Sequence, residues 1–196
     1  MSYQAIIFDC DGTLADTMPL HFRAWQMAAR RHGFSFPEHR FYALGGVPSR
    51  EIVALLAKEQ GLTLDAQAVA HEKDELYIAL IDRVEAIEPV LDVVRRHHGR
   101  TPMAVASGGS QRTTGQALAQ LGIDTMFDAV VTAEDVQRHK PAPDVFLEAA
   151  RRLGVAPADC LAFEDTDIGL KAIRAAGMTA VDVRLFARSG TGRHEV

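Results

Sequence analysis

From residue 88 onward the sequence repeats one unit, in which a short apolar run, a stretch of helical spacing and a glycine follow one another. The apolar runs are 103–106, 129–131, 161–163 and 179–183, and the helical stretches are 114–121, 144–153 and 168–176. Each helical stretch is followed by a glycine, the residue that commonly ends a helix. Strands that alternate with helices form parallel sheets through right-handed crossovers. The repeat therefore predicts an α/β fold, a parallel sheet with helices on both faces.

The first strand of this sheet is expected near the N-terminus, well before the repeat. Ala5–Phe8 is an apolar run, which is typical of a short strand buried on both faces. Between it and residue 88, apolar residues recur at helical spacing instead. We predict helices at 20–32, 50–60 and 66–87, with Ser49 as the N-cap of the second helix and Gly61 at its C-terminal end.

These helices interrupt the sheet pattern and therefore form an insertion. We expect a core catalytic domain of residues 1–16 and 88–196 and a helical cap domain of residues 17–87. With 196 residues, 47% of them hydrophobic, the chain can bury one good core and a small second one. An all-helical insertion directly after the first strand would lie over the carboxyl end of the sheet. The polar tail, 189–196, is expected to be frayed.

The charge and the apolar runs of the chain argue against two kinds of partner. A net charge of −5 leaves no basic surface for nucleic acid, and no apolar run approaches the ~18 residues of a membrane span. The first strand begins almost at once, which leaves no room for a signal peptide, so we expect a cytoplasmic protein. Cys10 and Cys160 would lie too far apart for a disulfide, which allows ~7 Å between Cα atoms, and are predicted to be reduced core thiols.

The stretch IIFDCDGTLADT, residues 6–17, places two aspartates directly after the first strand. Side chains two apart on an extended chain point the same way, so Asp9 and Asp11 would share one side of the strand end. Two adjacent carboxylates raise each other's energy unless a cation or a shared proton intervenes. The pair is either a functional site or part of a turn, because Asp-Gly after a strand is also a common turn signal.

Further polar residues lie at other strand ends, where ligands of parallel sheets bind, or in nearby loops. Ser107, followed by two glycines, either holds a phosphate with its hydroxyl and nearby N–H groups or forms an ordinary Ser-Gly turn. Lys140, just before two prolines, is either a site residue or a solvated lysine. Glu164 and Asp165 follow an apolar run, where acidic residues can also cap a helix, and Asp167 is assigned to capping.

Taken together, these residues resemble the four motifs of the haloacid dehalogenase superfamily. DCDGT (9–13) is similar to motif one, Ser107 to motif two, Lys140 to motif three and the Glu-Asp pair at 164–165 to motif four. The resemblance covers essentially the whole chain and implies a Rossmann-like core with a type-one cap as the helical insertion. HFRAW (21–25), LGGVPSRE (44–51) and KPAPD (140–144) are similar to the β-phosphoglucomutase subfamily, especially its small fructose-1-phosphate phosphatase-like members.

The resemblance implies a Mg²⁺-dependent phosphatase that hydrolyses a small sugar monophosphate, such as fructose 1-phosphate, through an aspartyl-phosphate. Asp9 would be the nucleophile and Asp11 the general acid and base. The implied metal ligands are Asp9, the Asp11 backbone carbonyl and Asp165, with Glu164 as a further or outer ligand. Ser107 and Lys140 would bind the transferring phosphoryl group.

The implied substrate-binding residues include positions in the insertion. They are Thr13, His21, Gly46, Arg50, Ser107 and Gly108. His21 could equally be a packed or solvated helix histidine. The resemblance further implies a small phosphorylated sugar as the partner. We expect a monomer or weak dimer.

Two alternative functions remain open at this stage. A sugar-phosphate mutase of the β-phosphoglucomutase type would use the same aspartyl-phosphate, and a phospho-accepting signalling module would also combine acidic residues, a Ser/Thr and a lysine. The mutase loop reads Leu-Lys-Gly-Val-Ser-Arg, whereas this chain has Gly45 in place of the lysine and one added residue. Arg50 is therefore expected to be the only cation that could hold a second phosphate. The helical insertion argues against a signalling module.

Overall fold

The computed structural model describes residues 3–188 and has a five-stranded, all-parallel sheet at its centre. The strands are β1 (Ala5–Phe8), β2 (Met103–Ala106), β3 (Ala129–Val131), β4 (Cys160–Glu164) and β5 (Thr179–Asp182). Their order is β3-β2-β1-β4-β5, so the N-terminal strand is the central one. The predicted α/β fold is confirmed.

Nine helices accompany the sheet in the described part of the chain. They are α1 (Met18–His32), α2 (Glu38–Ala43), α3 (Ser49–Gln60), α4 (Ala66–Ile78), α5 (Glu88–His97), α6 (Gln111–Gln120), α7 (Asp144–Leu153), α8 (Asp167–Ala175) and α9 (Arg184–Arg188). Short 3-10 turns occur at 81–83, 124–126, 133–135 and 157–159. Within residues 3–188, every helix is too short or too polar to cross a membrane.

Side chains of the central strand alternate between two hydrophobic clusters, one on each face of the sheet. Ile7 packs in the cluster that contains Phe146 of α7 and Ile173 of α8. Ile6 and Phe8 pack in the opposite cluster, with residues of α5 and α6. All four residues of β1 are buried because helices cover both faces. This double burial explains why the strand is an unbroken apolar run in the sequence.

The helical insertion has a hydrophobic cluster of its own. Trp25 of α1, Phe41 of α2, Ile52 of α3 and Val69 of α4 are buried in it. Helix α4 packs against both α1 and α3. The exact bounds of the core and cap domains stay a prediction.

Two connecting segments, one before α1 and one before α5, run side by side between the insertion and the sheet. Ala15 and Ala86 form an antiparallel bridge, and the Asp16 N–H donates to the Glu85 carbonyl at 2.8 Å. The insertion is therefore joined to the core by a short paired tether.

The predicted helix over 66–87 is wrong in its second half. Helix α4 ends at Ile78, and the chain continues through the 3-10 turn at 81–83. Apolar residues continue at helical spacing beyond Ile78, but the chain has to leave the helix to pair with Ala15. The sequence pattern also does not predict α2, which has only six residues.

The predicted ends of α3 are half right. Gly61 ends the helix in the left-handed conformation, with φ +66°, as expected. Ser49 is not the N-cap, because Pro48 occupies that position and Ser49 is the first helical residue. The Ser49 hydroxyl instead lies 3.4 Å from Lys73 Nζ.

The assignment of Asp167 as a helix cap is also wrong. Thr166 caps α8, and its hydroxyl accepts the Gly169 N–H at 3.1 Å. Asp167 is the first residue of the helix and pairs with Arg184 at 2.9 Å. Thr166 takes the N-cap position because it has the extended backbone that an N-cap requires, whereas Asp167 is already helical.

The two cysteines are buried and free, as predicted. Cys160 pairs in the sheet with Ala5, at the far end of β1 from Cys10. The expectation for the tail, 189–196, lies outside the described residues.

Candidate active site

Polar side chains meet where three neighbouring strands end. Asp9 directly follows β1, Ser107 directly follows β2, and Glu164 is the last residue of β4. Because β1 lies between β2 and β4 in a parallel sheet, these ends share one edge. The sequence-predicted residues are therefore brought together at the edge where ligands of such sheets bind.

Lys140 joins two carboxylates of this edge. Its Nζ lies 2.6 Å from Asp9 Oδ1 and 2.7 Å from Glu164 Oε2, and its side chain is 1% exposed. Burial alone would lower the pKa of this lysine, but Asp9 and Glu164 raise it above its usual value. Lys140 is therefore a fixed positive charge beside Asp9 rather than a solvated lysine.

Glu164 has a full set of hydrogen-bond partners. Its Oε1 accepts the backbone N–H groups of Asp165 and Thr166 and the Thr166 hydroxyl at 2.8–3.1 Å, while Oε2 accepts Lys140. Burial raises its pKa, but Lys140 and Thr166 outweigh burial and hold the pKa below its usual value. An added Cβ at Gly169 would collide with this carboxylate. Glu164 therefore organises the loop after β4 and the lysine together.

The carboxylates of Asp9, Glu164 and Asp165 form an all-oxygen cluster, in which one oxygen of each lies within 4.8 Å of the others. Burial and the neighbouring carboxylates raise the pKa values of Asp9 and Asp165, since three acids share the charge of Lys140. A divalent cation would relieve this repulsion, and oxygen donors are those that Mg²⁺ prefers. The residues present therefore fit a magnesium ion.

The turn after β1 packs closely on Asp165. Gly12 has φ +85°, and an added Cβ there would collide with the Asp165 carboxylate. The buried Thr13 hydroxyl donates to Asp165 Oδ1 at 3.2 Å. Gly12 and Thr13 therefore position a member of the acidic cluster.

Ser107 is buried at the start of the loop that follows β2. Its Oγ accepts the Gly109 N–H at 2.9 Å and the Thr114 hydroxyl at 3.1 Å. A hydroxyl has two lone pairs and one proton, so this arrangement leaves the Ser107 proton for another acceptor. The side chain is thus oriented as a donor.

The Asp11 carboxylate is not part of the acidic cluster and faces α1 instead. Its Oδ1 accepts the Thr17 hydroxyl at 2.6 Å and lies 3.1 Å from His21 Nε2. Burial raises its pKa, but His21 and Thr17 outweigh burial and bring the pKa to about 2. The pKa of Asp9 moves in the opposite direction. Two carboxylates with such different surroundings are suited to different roles.

His21 links Asp11 to a second lysine. Its Nδ1 lies 2.9 Å from Lys73 Nζ, and its ring stacks on Tyr77 with the ring centroids 3.8 Å apart. An ammonium group can only donate, so Nδ1 accepts and the proton of a neutral His21 lies on Nε2, facing Asp11. Burial and Lys73 lower the pKa of His21, which favours this neutral form. His21 is therefore a packed donor to Asp11.

Sequence reasoning does not find Lys73, which is 3% exposed. Its neighbours Glu72 and Asp74 give the stretch the look of a solvated helix face. The signal that could have found it is spacing, since Lys73 lies four residues from both Val69 and Tyr77, and both are buried. Lys73 therefore lies on the inward face of α4.

A cavity of about 690 Å³ lies between the strand ends and the helical insertion. The predicted site residues that line it are Asp9, Asp11, His21, Gly46, Arg50, Gly108 and Glu164. The remaining predicted residues, Thr13, Ser107, Lys140 and Asp165, are not among the residues that line it. Arg50, which the sequence predicts to be the only cation that could hold a second phosphate, lines the cavity together with a second cation of the insertion, Lys73.

The loop between α2 and α3 closes the cavity against the core. An added Cβ at Gly108 would collide with the Gly46 carbonyl, and one at Gly46, where φ is +83°, would lie 3.4 Å from Lys140 Cδ. Gly45 is buried, and a Cβ there would lie 3.1 Å from Thr166 Cγ2. The glycines therefore allow backbone of the insertion to touch the core directly over the site.

The fold and the acidic site define a hydrolase class. A family model described as haloacid dehalogenase-like hydrolase matches residues 3–177, and the chain belongs to this family. The resemblance found in the four motifs is confirmed.

Similar individual proteins include sugar-phosphate enzymes. The chain is 46% identical over 185 residues to the fructose-1-phosphate phosphatase YqaB of Escherichia coli (strain K12). The matched region covers 94% of this chain and 98% of that protein. It is 32% identical over 187 residues to the β-phosphoglucomutase of Bacillus subtilis (strain 168), covering 92% and 83%. The crystal structure of β-phosphoglucomutase from Clostridium difficile has a TM-score of 0.81 at 28% identity, covering 92% of this chain and 84% of that one.

Proposed function

We propose that this protein is a Mg²⁺-dependent phosphatase that hydrolyses a small sugar monophosphate, fructose 1-phosphate being the first to test, through an aspartyl-phosphate. The observation that carries the proposal is the position of Asp9, a buried carboxylate that contacts Lys140 and lines the cavity between the sheet and the insertion. The 46% identity to a fructose-1-phosphate phosphatase supports the choice of substrate. A monomer or weak dimer in the cytoplasm stays a prediction.

In the first half of the proposed reaction, Asp9 attacks the phosphorus atom and the sugar oxygen leaves. Lys140 and the Ser107 hydroxyl hold the equatorial phosphoryl oxygens, over which charge spreads in the transition state. The covalent aspartyl-phosphate divides the reaction into two easier steps.

Asp9, Asp165 and the Asp11 backbone carbonyl would hold Mg²⁺, with Glu164 as an outer group that orients Lys140 and Thr166. When bound, the ion offsets the charge repulsion between the nucleophile and the phosphoryl oxygens. The partners that already occupy both Glu164 oxygens support its outer position.

Asp11 would give a proton to the leaving sugar oxygen and then take one from the attacking water. With a pKa of about 2 it is ionised in the described conformation, which suits the second task. For the first task it must take up a proton after the substrate binds, when the added negative charge of the phosphate raises its pKa. Thr17 and His21 hold the carboxylate toward the cavity meanwhile.

Activity is expected to require Mg²⁺ and to be inhibited by Ca²⁺. Calcium accepts more ligands at longer distances, so it would allow Asp9 to bind it through both oxygens and lose its line of attack. Phosphate release is measured in chelator, with Mg²⁺, and with Mg²⁺ plus Ca²⁺; excess Mg²⁺ should reverse the inhibition. Full activity in chelator, with metal content confirmed as negligible, would contradict the metal site.

The mutase alternative rests on whether the cavity can hold a second phosphate. If the protein is a phosphatase, fructose 1-phosphate should release phosphate. β-Glucose 1-phosphate should give little glucose 6-phosphate, even when the enzyme is primed with the bisphosphate. A coupled assay for glucose 6-phosphate beside free-phosphate detection separates the two activities. Isomerisation that outpaces hydrolysis would overturn the phosphatase assignment. Steady phosphate release would also eliminate a phospho-accepting signalling module.

A further inference from the structure

The lysine and arginine side chains that line the cavity, from the insertion and from the core, are mostly neutralised by acids. Of the three lysines and arginines in the cavity wall, Lys73 lies 3.2 Å from Asp74 Oδ1 and Arg112 pairs with both oxygens of Glu75. Within residues 3–188 no ion pair is formed by the third, Arg50, which is exposed. This wall therefore carries far less positive charge than its cations suggest.

Asp74 is the acid of this group that faces the cavity. It lines the wall, and its side chain is 18% exposed. Its Oδ2 accepts the hydroxyl of Ser110, the N-cap of α6, at 3.2 Å. Both carboxylate oxygens are thus fixed, one by the insertion and one by the core.

Asp74 is also linked through side chains to Asp11, the proposed acid for the leaving sugar oxygen. Two hydrogen-bonded side chains, His21 and Lys73, connect it to Asp11. Because Asp11 would protonate the leaving oxygen, the sugar has to extend along this wall. The far end of the substrate therefore meets a carboxylate beside an already paired lysine.

We propose that Asp74 determines specificity by admitting substrates whose far end carries hydroxyl groups and rejecting those with a second phosphate there. A sugar hydroxyl can donate to the carboxylate, whereas a phosphate has no proton to donate at neutral pH and is repelled by it. Specificity commonly combines such a repulsive group with attractive contacts. The inference rests on the proposed function and deepens it.

The test compares fructose 1-phosphate with fructose 1,6-bisphosphate in the wild type and in Asp74→Asn. Asparagine keeps the shape and an acceptor for Ser110, removes the charge, and leaves Lys73 free for a phosphate. The ratio of kcat/KM for the bisphosphate to that for the monophosphate should rise about tenfold or more. Release from the first carbon is followed by coupled detection of fructose 6-phosphate. In the wild type, added salt should raise the ratio, because it screens the repulsion.

Three further variants separate charge from structure. Glu72 lies on the same helix but pairs with Arg31 and His32. Glu72→Gln therefore removes a negative charge without changing Asp74, and it should leave the ratio unchanged. Ser110→Ala removes the hydroxyl but keeps the Asp74 charge, and the ratio should again stay near the wild-type value. Asp74→Ser gives a second neutral variant if the asparagine protein does not fold.

The outcomes distinguish this inference from the function on which it rests. Hydrolysis of fructose 1-phosphate with an unchanged ratio in both neutral Asp74 variants would overturn the role of Asp74 and leave the phosphatase intact. An equal rise in Glu72→Gln would overturn it as well, since the effect would then reflect net charge. Wild-type protein that hydrolyses no sugar monophosphate would overturn both.

Discussion

Asp9→Asn is expected to abolish phosphate release from sugar phosphates while the protein remains folded. The amide is a poor nucleophile and a weaker metal ligand, so both the covalent step and the metal site are lost. Removal of a catalytic nucleophile lowers kcat by about 10⁴-fold or more in comparable covalent enzymes. Burial and Glu164 raise the pKa of Asp9, so a neutral group at this position should not lower the thermal stability of the metal-free protein.

The measurement combines phosphate release, a thermal melt and mass spectrometry of the protein quenched during turnover. A phosphorylated protein should be trapped for the wild type and be absent for Asp9→Asn. Asp16→Asn is the matched control, because Asp16 is an exposed aspartate of the same segment. Turnover like the wild type in Asp9→Asn would refute the proposed nucleophile.

Asp11→Asn should lose about 10²–10⁴-fold in kcat/KM on a sugar phosphate, the usual contribution of general acid–base catalysis. Asparagine can still accept from Thr17, but it cannot give a proton to the sugar oxygen. An aryl phosphate with a good leaving group needs no such proton, so the loss on that substrate should be much smaller in the first half-reaction.

Rapid-mixing kinetics with the aryl phosphate give the sharper result. Because Asp11 would also activate the water, the variant should release a burst of the phenol and then slow, as phosphorylated enzyme accumulates. A loss of equal size on both kinds of substrate, with no burst, would mean that Asp11 acts by holding structure rather than by moving a proton.

Much of the core could be predicted because its strands are buried on both faces. In β1 and β2 every residue is buried, which makes the strands unbroken apolar runs that end at Asp9 and Ser107. The end of α4 could not be predicted locally, because the pairing of Ala15 with Ala86 depends on residues far apart in the sequence.

The site divides in the same way. Site residues next to strand ends could be predicted, since the ends of parallel strands lie at one edge of the sheet. Lys73 could not be predicted as a site residue, because its sequence neighbours are charged and its burial depends on contacts with His21 of another helix. Glu164 could be predicted as a site residue, but its role in orienting Lys140 and Thr166 could not. Only the structure shows the hydrogen-bond partners of its two carboxylate oxygens.

The paired tether has a consequence for the timing of proton transfer. Asp11 precedes the tether and follows the end of β1, whereas His21 belongs to α1 and would move with the insertion. Any swing of the insertion about the tether would draw the histidine away from the carboxylate. Water or a small anion that enters the cavity without bringing the insertion and the core together would then meet an Asp11 carboxylate that His21 does not orient. We therefore expect Asp11 to be aligned for proton transfer only when a substrate of suitable size holds the insertion closed over the sheet.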